Sequence, residues 1–149
     1  MKDRIRFRLK EFYILEKFQV KYYESQLSTA ESKYYRKAFE KMMEIEQGHV
    51  DFFVQELNSR NIDIPAVTGT LADMAGNFLG ESVELTGPSK ACTLGAALEN
   101  RAIEMYQSFT MEAKNDACLQ DKLMEFCLEE EFHSLWLQNY AWKLDNKTK

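Results

Sequence analysis

Apolar residues recur along most of this 149-residue chain at steps of three and four, the spacing of one helix face. In FEKMMEIEQGHVDFFVQEL, Phe39, Met42, Met43, Val50, Phe53 and Leu57 follow that step, with no proline to break it. The same pattern puts Ile5, Leu9, Phe12, Tyr23 and Leu27 on one face of a helix over about 4–27, and predicts a second helix over about 31–59. LSTAES between them supplies turn and capping residues. A third helix opens after TGPSK, where Pro88 suits a first turn, and runs to about 113; KNDA then turns the chain into a fourth, over about 117–143.

Glycine and proline separate the two pairs. Only Gly48 precedes residue 65, neither residue type follows Gly95, and Pro65, Gly69, Gly76, Gly80, Gly87 and Pro88 lie between. Within TLADMAGNFLGESVELTG, Leu71, Met74, Ala75, Phe78 and Leu79 return to helical spacing and predict a short amphipathic helix. The expected fold is therefore all-α, one domain. A helical hairpin over about 4–59 and another over about 88–143 are joined by a long crossover over about 60–87, a four-helix bundle topology.

Two polar residues disturb this pattern. Glu46 falls on or beside the apolar stripe of its helix, and His49 lies one turn further along it. The only other histidine, His133 in LEEEFH, also follows a glutamate by three residues, Glu130. The correspondence extends to the partner helices: Glu16 precedes Tyr23 by seven residues in EKFQVKYY, and Glu99 precedes Tyr106 by seven in ENRAIEMY. Glu16 to His49 spans 33 residues and Glu99 to His133 spans 34. One hairpin is thus written twice, each copy carrying Glu, Tyr and Glu-x-x-His in the same order. Residues three or four apart share a helix face. Glu16 then lies with Phe12 and Tyr23, Glu99 with Cys92, Ala96, Ala102, Ile103 and Tyr106, and Glu130 and His133 with Leu123, Phe126, Cys127 and Leu137. Glu44, Glu56, Glu104, Glu129 and Glu131 read as solvated faces.

Four carboxylates in an apolar core would each cost several kcal/mol to desolvate. Two divalent cations would neutralise them, and the mixed carboxylate and imidazole donors suit iron, manganese or zinc better than calcium or magnesium. The metal candidates are Glu16, Glu46, His49, Glu99, Glu130 and His133. Tyr23 and Tyr106 are candidates to hydrogen-bond a ligand or relay an electron, or else to pack in the core.

This set resembles the ferritin-like di-iron carboxylate proteins, which place one glutamate on each of two helices and Glu-x-x-His on the other two. The resemblance implies two iron ions, Glu16 and Glu99 as terminal ligands, Glu46 and Glu130 as bridging ligands, and His49 and His133 as imidazole ligands. Two branches are similar. Rubrerythrins, which resemble peroxide reductases, share the flavour of the Glu16 and Glu99 helices, with Gln19 here replacing an alanine. The chain lacks their C-x-x-C module, and Ala96 stands where they carry a further glutamate. The demethoxyubiquinone hydroxylases resemble AGNFLGESVELTGPSKACTLGAALE, in its A-G, L-G, L-x-G and A-C-T steps ahead of Glu99. In that family the stretch is strongly apolar and meets membrane and quinone; Asn77, Glu81, Glu84 and Thr86 make it amphipathic here. The expected function is an oxidoreductase that activates oxygen or peroxide, with an unidentified electron donor and a quinone-like substrate. The alternatives are a rubrerythrin-like peroxide reductase or ferroxidase, and a metal-binding bundle without turnover.

Composition narrows the setting. The net charge of −5 argues against a nucleic-acid partner. No apolar run approaches the roughly 18 residues of a membrane span, and MKDRIRFRLKEF is not followed by the uninterrupted apolar stretch of a signal peptide. Cys92, Cys118 and Cys127, three in number and without C-x-x-C spacing, read as reduced thiols acting as small core hydrophobes in a cytoplasmic protein. Peripheral membrane contact and a homodimer are both compatible with this reading.

Overall fold

The computed structural model describes residues 2–80 and 87–147. Glu81, Glu84 and Thr86, expected on the amphipathic crossover, lie outside the described residues. The elements are α1 (Lys2–Gln26), α2 (Lys33–Ser59), α3 (Leu71–Leu79), α4 (Pro88–Glu112) and α5 (Ala117–Asn146), with no strand among the described residues.

Local chemistry sets the helix ends. The Ser32 hydroxyl accepts from the Tyr35 N–H at 3.4 Å and caps α2; the Asp116 carboxylate accepts from the Leu119 N–H at 3.2 Å and caps α5. Beyond the other end of α2 the backbone turns at Asn61, whose φ of 55° is left-handed. The Ile62 N–H then returns to the Leu57 carbonyl at 2.9 Å. Gly87 supplies the φ of 85° that precedes Pro88, and Pro88 opens α4.

The chain forms two compact units, Met1–Leu71 and Ala72–Lys149. In the first, α1 packs along α2. Leu9, Phe12, Phe39, Phe53 and Leu57 are buried, and the Phe12 and Phe53 rings stack with centroids 5.6 Å apart. Met42 and Val50 are buried as expected, whereas Ile5, Leu27 and Met43 are only half-buried. Leu15, Phe18 and Tyr22 are buried too, so the inward face of α1 is wider than the stripe read from the sequence. In the second unit α4 packs along α5, and Leu98, Ala102, Tyr106, Phe109, Leu119, Leu123 and Leu137 are buried, while Ile103 is half-buried. On α3 only Met74 and Ala75 are buried, while Leu71, Phe78 and Leu79 are half-buried. Helix α5 runs one turn beyond the expected 143, through Asn146, whose amide donates to the Trp142 carbonyl at 2.8 Å.

All three cysteines are free. Burial pushes the Cys92 thiol up to about 12 and is the main cause of the rise of half-buried Cys127 to about 11, so both stay protonated. Cys118 corrects the expectation that each is a core hydrophobe. It sits in the first turn of α5, facing out, and is exposed.

Candidate metal centre

The first unit holds one copy of the repeated donor set. Helix α1 presents Glu16, and α2 presents Glu46 and His49 one turn apart; none is more than 1% exposed. The three residues offer ligand atoms within 4.8 Å of one another. The His49 Nδ1 lies 3.1 Å from Glu46 Oε2 and 3.2 Å from Glu16 Oε2. Periodicity placed these residues on inward faces, but the imidazole between two carboxylates is a product of the α1–α2 packing.

Burial is the largest influence on Glu16, raising its carboxyl from 4.5 to about 8. The neighbouring His49 opposes the rise, and the Glu46 carboxylate adds to it. A carboxyl with no water and a like charge beside it is stable in two ways: it keeps a proton or it meets a cation.

The second unit repeats the arrangement. Helix α4 presents Glu99, and α5 presents Glu130 and His133; all three are buried and offer ligand atoms within 4.8 Å of one another. The His133 Nδ1 is 3.9 Å from Glu99 Oε1, looser than its counterpart. Each unit therefore brings together two carboxylates and one imidazole, the donors predicted for it. One divalent ion per set would balance two negative charges, and oxygen donors with a neutral imidazole suit iron. The donor chemistry fits the group.

Tyr23 and Tyr106 are both fully buried. Tyr23 contacts the rings of Tyr22 and Phe39, with centroids 5.1 and 6.4 Å away, and Tyr106 meets Phe126 edge-on at 6.2 Å. The glutamates read as solvated behave accordingly where they pair: Glu44 with Lys41, Glu104 with Arg101, and Glu56 with Arg60, all by three or four residues along one helix.

Of the buried polar residues outside the expected site, two lie next to its donors. Gln19, one turn beyond Glu16, is 1% exposed, and Ser134, beside His133, is 3% exposed. The Ser134 hydroxyl donates to Asn100 Oδ1 at 2.6 Å, tying α5 to α4 next to Glu99. Gln19 carries a signal in the repeat itself. It stands three residues after Glu16, where the second copy has Ala102 three residues after Glu99, so the two halves differ by one buried amide.

Comparison with known proteins bears on most of the chain. The model of the family described as ubiquinone biosynthesis protein COQ7 matches residues 16–147. The chain belongs to the ubiquinone biosynthesis protein COQ7 family. The likeness to demethoxyubiquinone hydroxylases therefore reaches well beyond the stretch ahead of Glu99. A crystal structure of ferritin-like, diiron-carboxylate proteins from Bacillus anthracis str. Ames superimposes with a TM-score of 0.78 at 16% identity, covering 93% of this chain and 96% of that one. The fold of this COQ7-family chain is the all-α bundle expected from its periodicity, and it is ferritin-like, as the resemblance of its donor set implied. It is a di-iron carboxylate protein, and its cofactor is a pair of iron ions. Comparison with curated proteins finds no match. Among the described residues no helix is long and apolar enough to cross a membrane.

Proposed function

We propose that the protein is an oxygen-activating hydroxylase of a quinone-like ring, a single domain whose two donor sets hold one pair of iron ions. The observation that carries this reading is the duplicated donor set: Glu16, Glu46 and His49 in one unit and Glu99, Glu130 and His133 in the other, all buried. Glu16 and Glu99 would be terminal ligands, His49 and His133 would cap one ion each, and Glu46 and Glu130 would bridge. Four carboxylates then meet four positive charges.

Bound ferrous iron supplies the two-electron reduction of O2 that an unassisted side chain cannot. The overall reaction inserts one oxygen atom into a ring C–H bond, converting it to C–OH. The second oxygen atom leaves as water, with two electrons from an external reductant and two protons. The chain's own residues hold and shield. Burial of all six donors excludes water that would divert the oxidant. Glu16, whose carboxyl is raised to about 8, is suited to hold a proton when it is not held by metal. Tyr23 and Tyr106, two turns from Glu16 and Glu99, would donate a hydrogen bond or relay an electron. Helix α3 offers an apolar side to a ring: Met74 is buried, and Leu71 and Phe78 are half-buried beside it. Ala96, buried on α4, stands where a rubrerythrin has a glutamate, and this favours the hydroxylase over a peroxide reductase.

Anaerobically purified protein loaded with ferrous iron, then given a chemical reductant, a quinone lacking one ring substituent and ¹⁸O-labelled O2, tests the reading. The expected product carries one labelled oxygen atom, seen by mass spectrometry. Consumption of peroxide without labelled product would assign the site to peroxide reduction. Stable binding of iron with neither outcome would make it a bundle without turnover.

A further inference from the structure

Helix α5 is apolar on two opposite faces, and the fold uses one. Leu119, Leu123, Phe126 and Leu137 are buried with Glu130 and His133. On the other side Met124, Leu128, Phe132, Leu135 and Trp142 are 45%, 54%, 69%, 63% and 63% exposed. At 100° per residue these five fall within an arc of about 80° and extend for about 27 Å. From Leu128 the stripe reads Leu128, Phe132, Leu135, Asn139, Trp142, alternating steps of four and three. That is the heptad step of a helix that pairs with another helix, with one polar position in the seam.

We infer that this face docks on a second copy of the same chain, with the two α5 helices antiparallel. Charge selects both the partner and the direction. Glu125, on one flank of the stripe, and Glu131, on the other, place acid on both sides, in a chain of net charge −5. Helices that lie on lipid carry lysine and arginine there instead. In a parallel pair, the Glu125 flank of one copy faces the Glu131 flank of the other, acid against acid. In an antiparallel pair each flank faces its own kind reversed. With Leu135 near the two-fold axis, Leu128 meets Trp142 of the second copy, Glu125 meets Lys143, and Glu131 meets Gln138, each contact made twice. Glu125 is already paired with Lys122 of its own helix at 2.8 Å, both groups exposed, so Lys143 brings it a second cation. The opposed helix dipoles add to the preference.

A pair of helices of this length sits at the small end of specific interfaces, below about 1,200 Å² in total. The expected dissociation constant is accordingly in the range of about 1–100 μM. Sedimentation velocity on the iron-loaded full chain, from about 1 to 300 μM, covers that window. The expected result is a mass rising with concentration from 17.5 kDa towards twice that value. Phe132→Glu with Leu135→Glu should weaken association by about 100-fold or more while leaving the far-UV circular dichroism unchanged, because both positions are exposed. For direction, in a Cys118→Ser background, Leu128→Cys and Trp142→Cys chains should form a mixed disulfide, and Leu128→Cys alone should not. A wild-type chain that stays monomeric throughout overturns the inference. So does a dimer indifferent to the double substitution, or self-crosslinking of Leu128→Cys alone. Flotation of the monomeric wild-type chain, but not of the double variant, with phosphatidylcholine vesicles would assign the stripe to lipid and equally overturn it.

Discussion

Removing the metal from this protein should make its stability fall as pH rises, opposite to the usual response of a buried, paired carboxylate. Without metal, Glu16 stays beside His49 and Glu46, and burial raises its carboxyl from 4.5 to about 8. Between those values the folded chain holds a proton that the unfolded chain has released. The stabilisation is fully present below the unfolded value and is lost as pH rises through the folded one. One proton corresponds to about 1.4 kcal/mol per pH unit, so the step from about pH 5.5 to about pH 7.5 should cost about 2–3 kcal/mol. Against a total of about 5–15 kcal/mol for a domain, that is easily measured. The assay is urea unfolding of chelator-treated protein, followed by circular dichroism across this window. Glu16→Gln keeps the shape and removes the titrating proton, so its slope should be shallower by about 1.4 kcal/mol per pH unit. Iron should reverse the trend, because a ligating carboxylate must be ionised and acid competes with the metal. Metal-free protein whose stability holds level or rises from about pH 5.5 to 7.5 refutes the argument. An unchanged slope in Glu16→Gln would show that another group holds the proton.

Further outcomes follow from single positions. His49→Ala should lower the iron content from two per chain towards one, whereas Glu46→Ala should lower occupancy of both ions; elemental analysis showing equal losses would contradict the bridging assignment. Gly48 is exposed within α2 and a Cβ there would meet nothing within 4 Å. Gly48→Ala should therefore add about 0.5–1 kcal/mol and raise Tm by about 2–4 °C in a thermal melt. Phe78 is only half-buried, so Phe78→Ala should cost less than the 3–5 kcal/mol or so of a fully buried phenylalanine. If α3 guides the ring, it should also weaken binding of a quinone analogue by about 10-fold or more, read by calorimetry; a full cavity penalty with unchanged binding would make the residue a seal.

The helices and the donor set were legible in the sequence because each is a matter of spacing. Apolar steps of three and four define a helix face before any neighbour is known. The recurrence of Glu, Tyr and Glu-x-x-His at nearly the same separation marked Glu16, Glu46, His49, Glu99, Glu130 and His133, and all six are buried. Spacing says nothing about what packs on a face. The insertion of the His49 imidazole between Glu16 and Glu46 needed α1 set against α2, and the raised carboxyl of Glu16 is a consequence of that burial. Gln19 follows Glu16 by three residues and so shares its face, but only the packing shows that its amide is enclosed. Cys118 reads as a small hydrophobe, yet the first turn of α5 carries it out. The clearest limit is α5. Its two apolar stripes are both regular, and periodicity alone cannot rank them. The donors Glu130 and His133 marked Leu123, Phe126 and Leu137 as the inward side, but only tertiary packing left the equally regular stripe of Leu128, Phe132 and Leu135 exposed, because only one side of a helix can face a given neighbour.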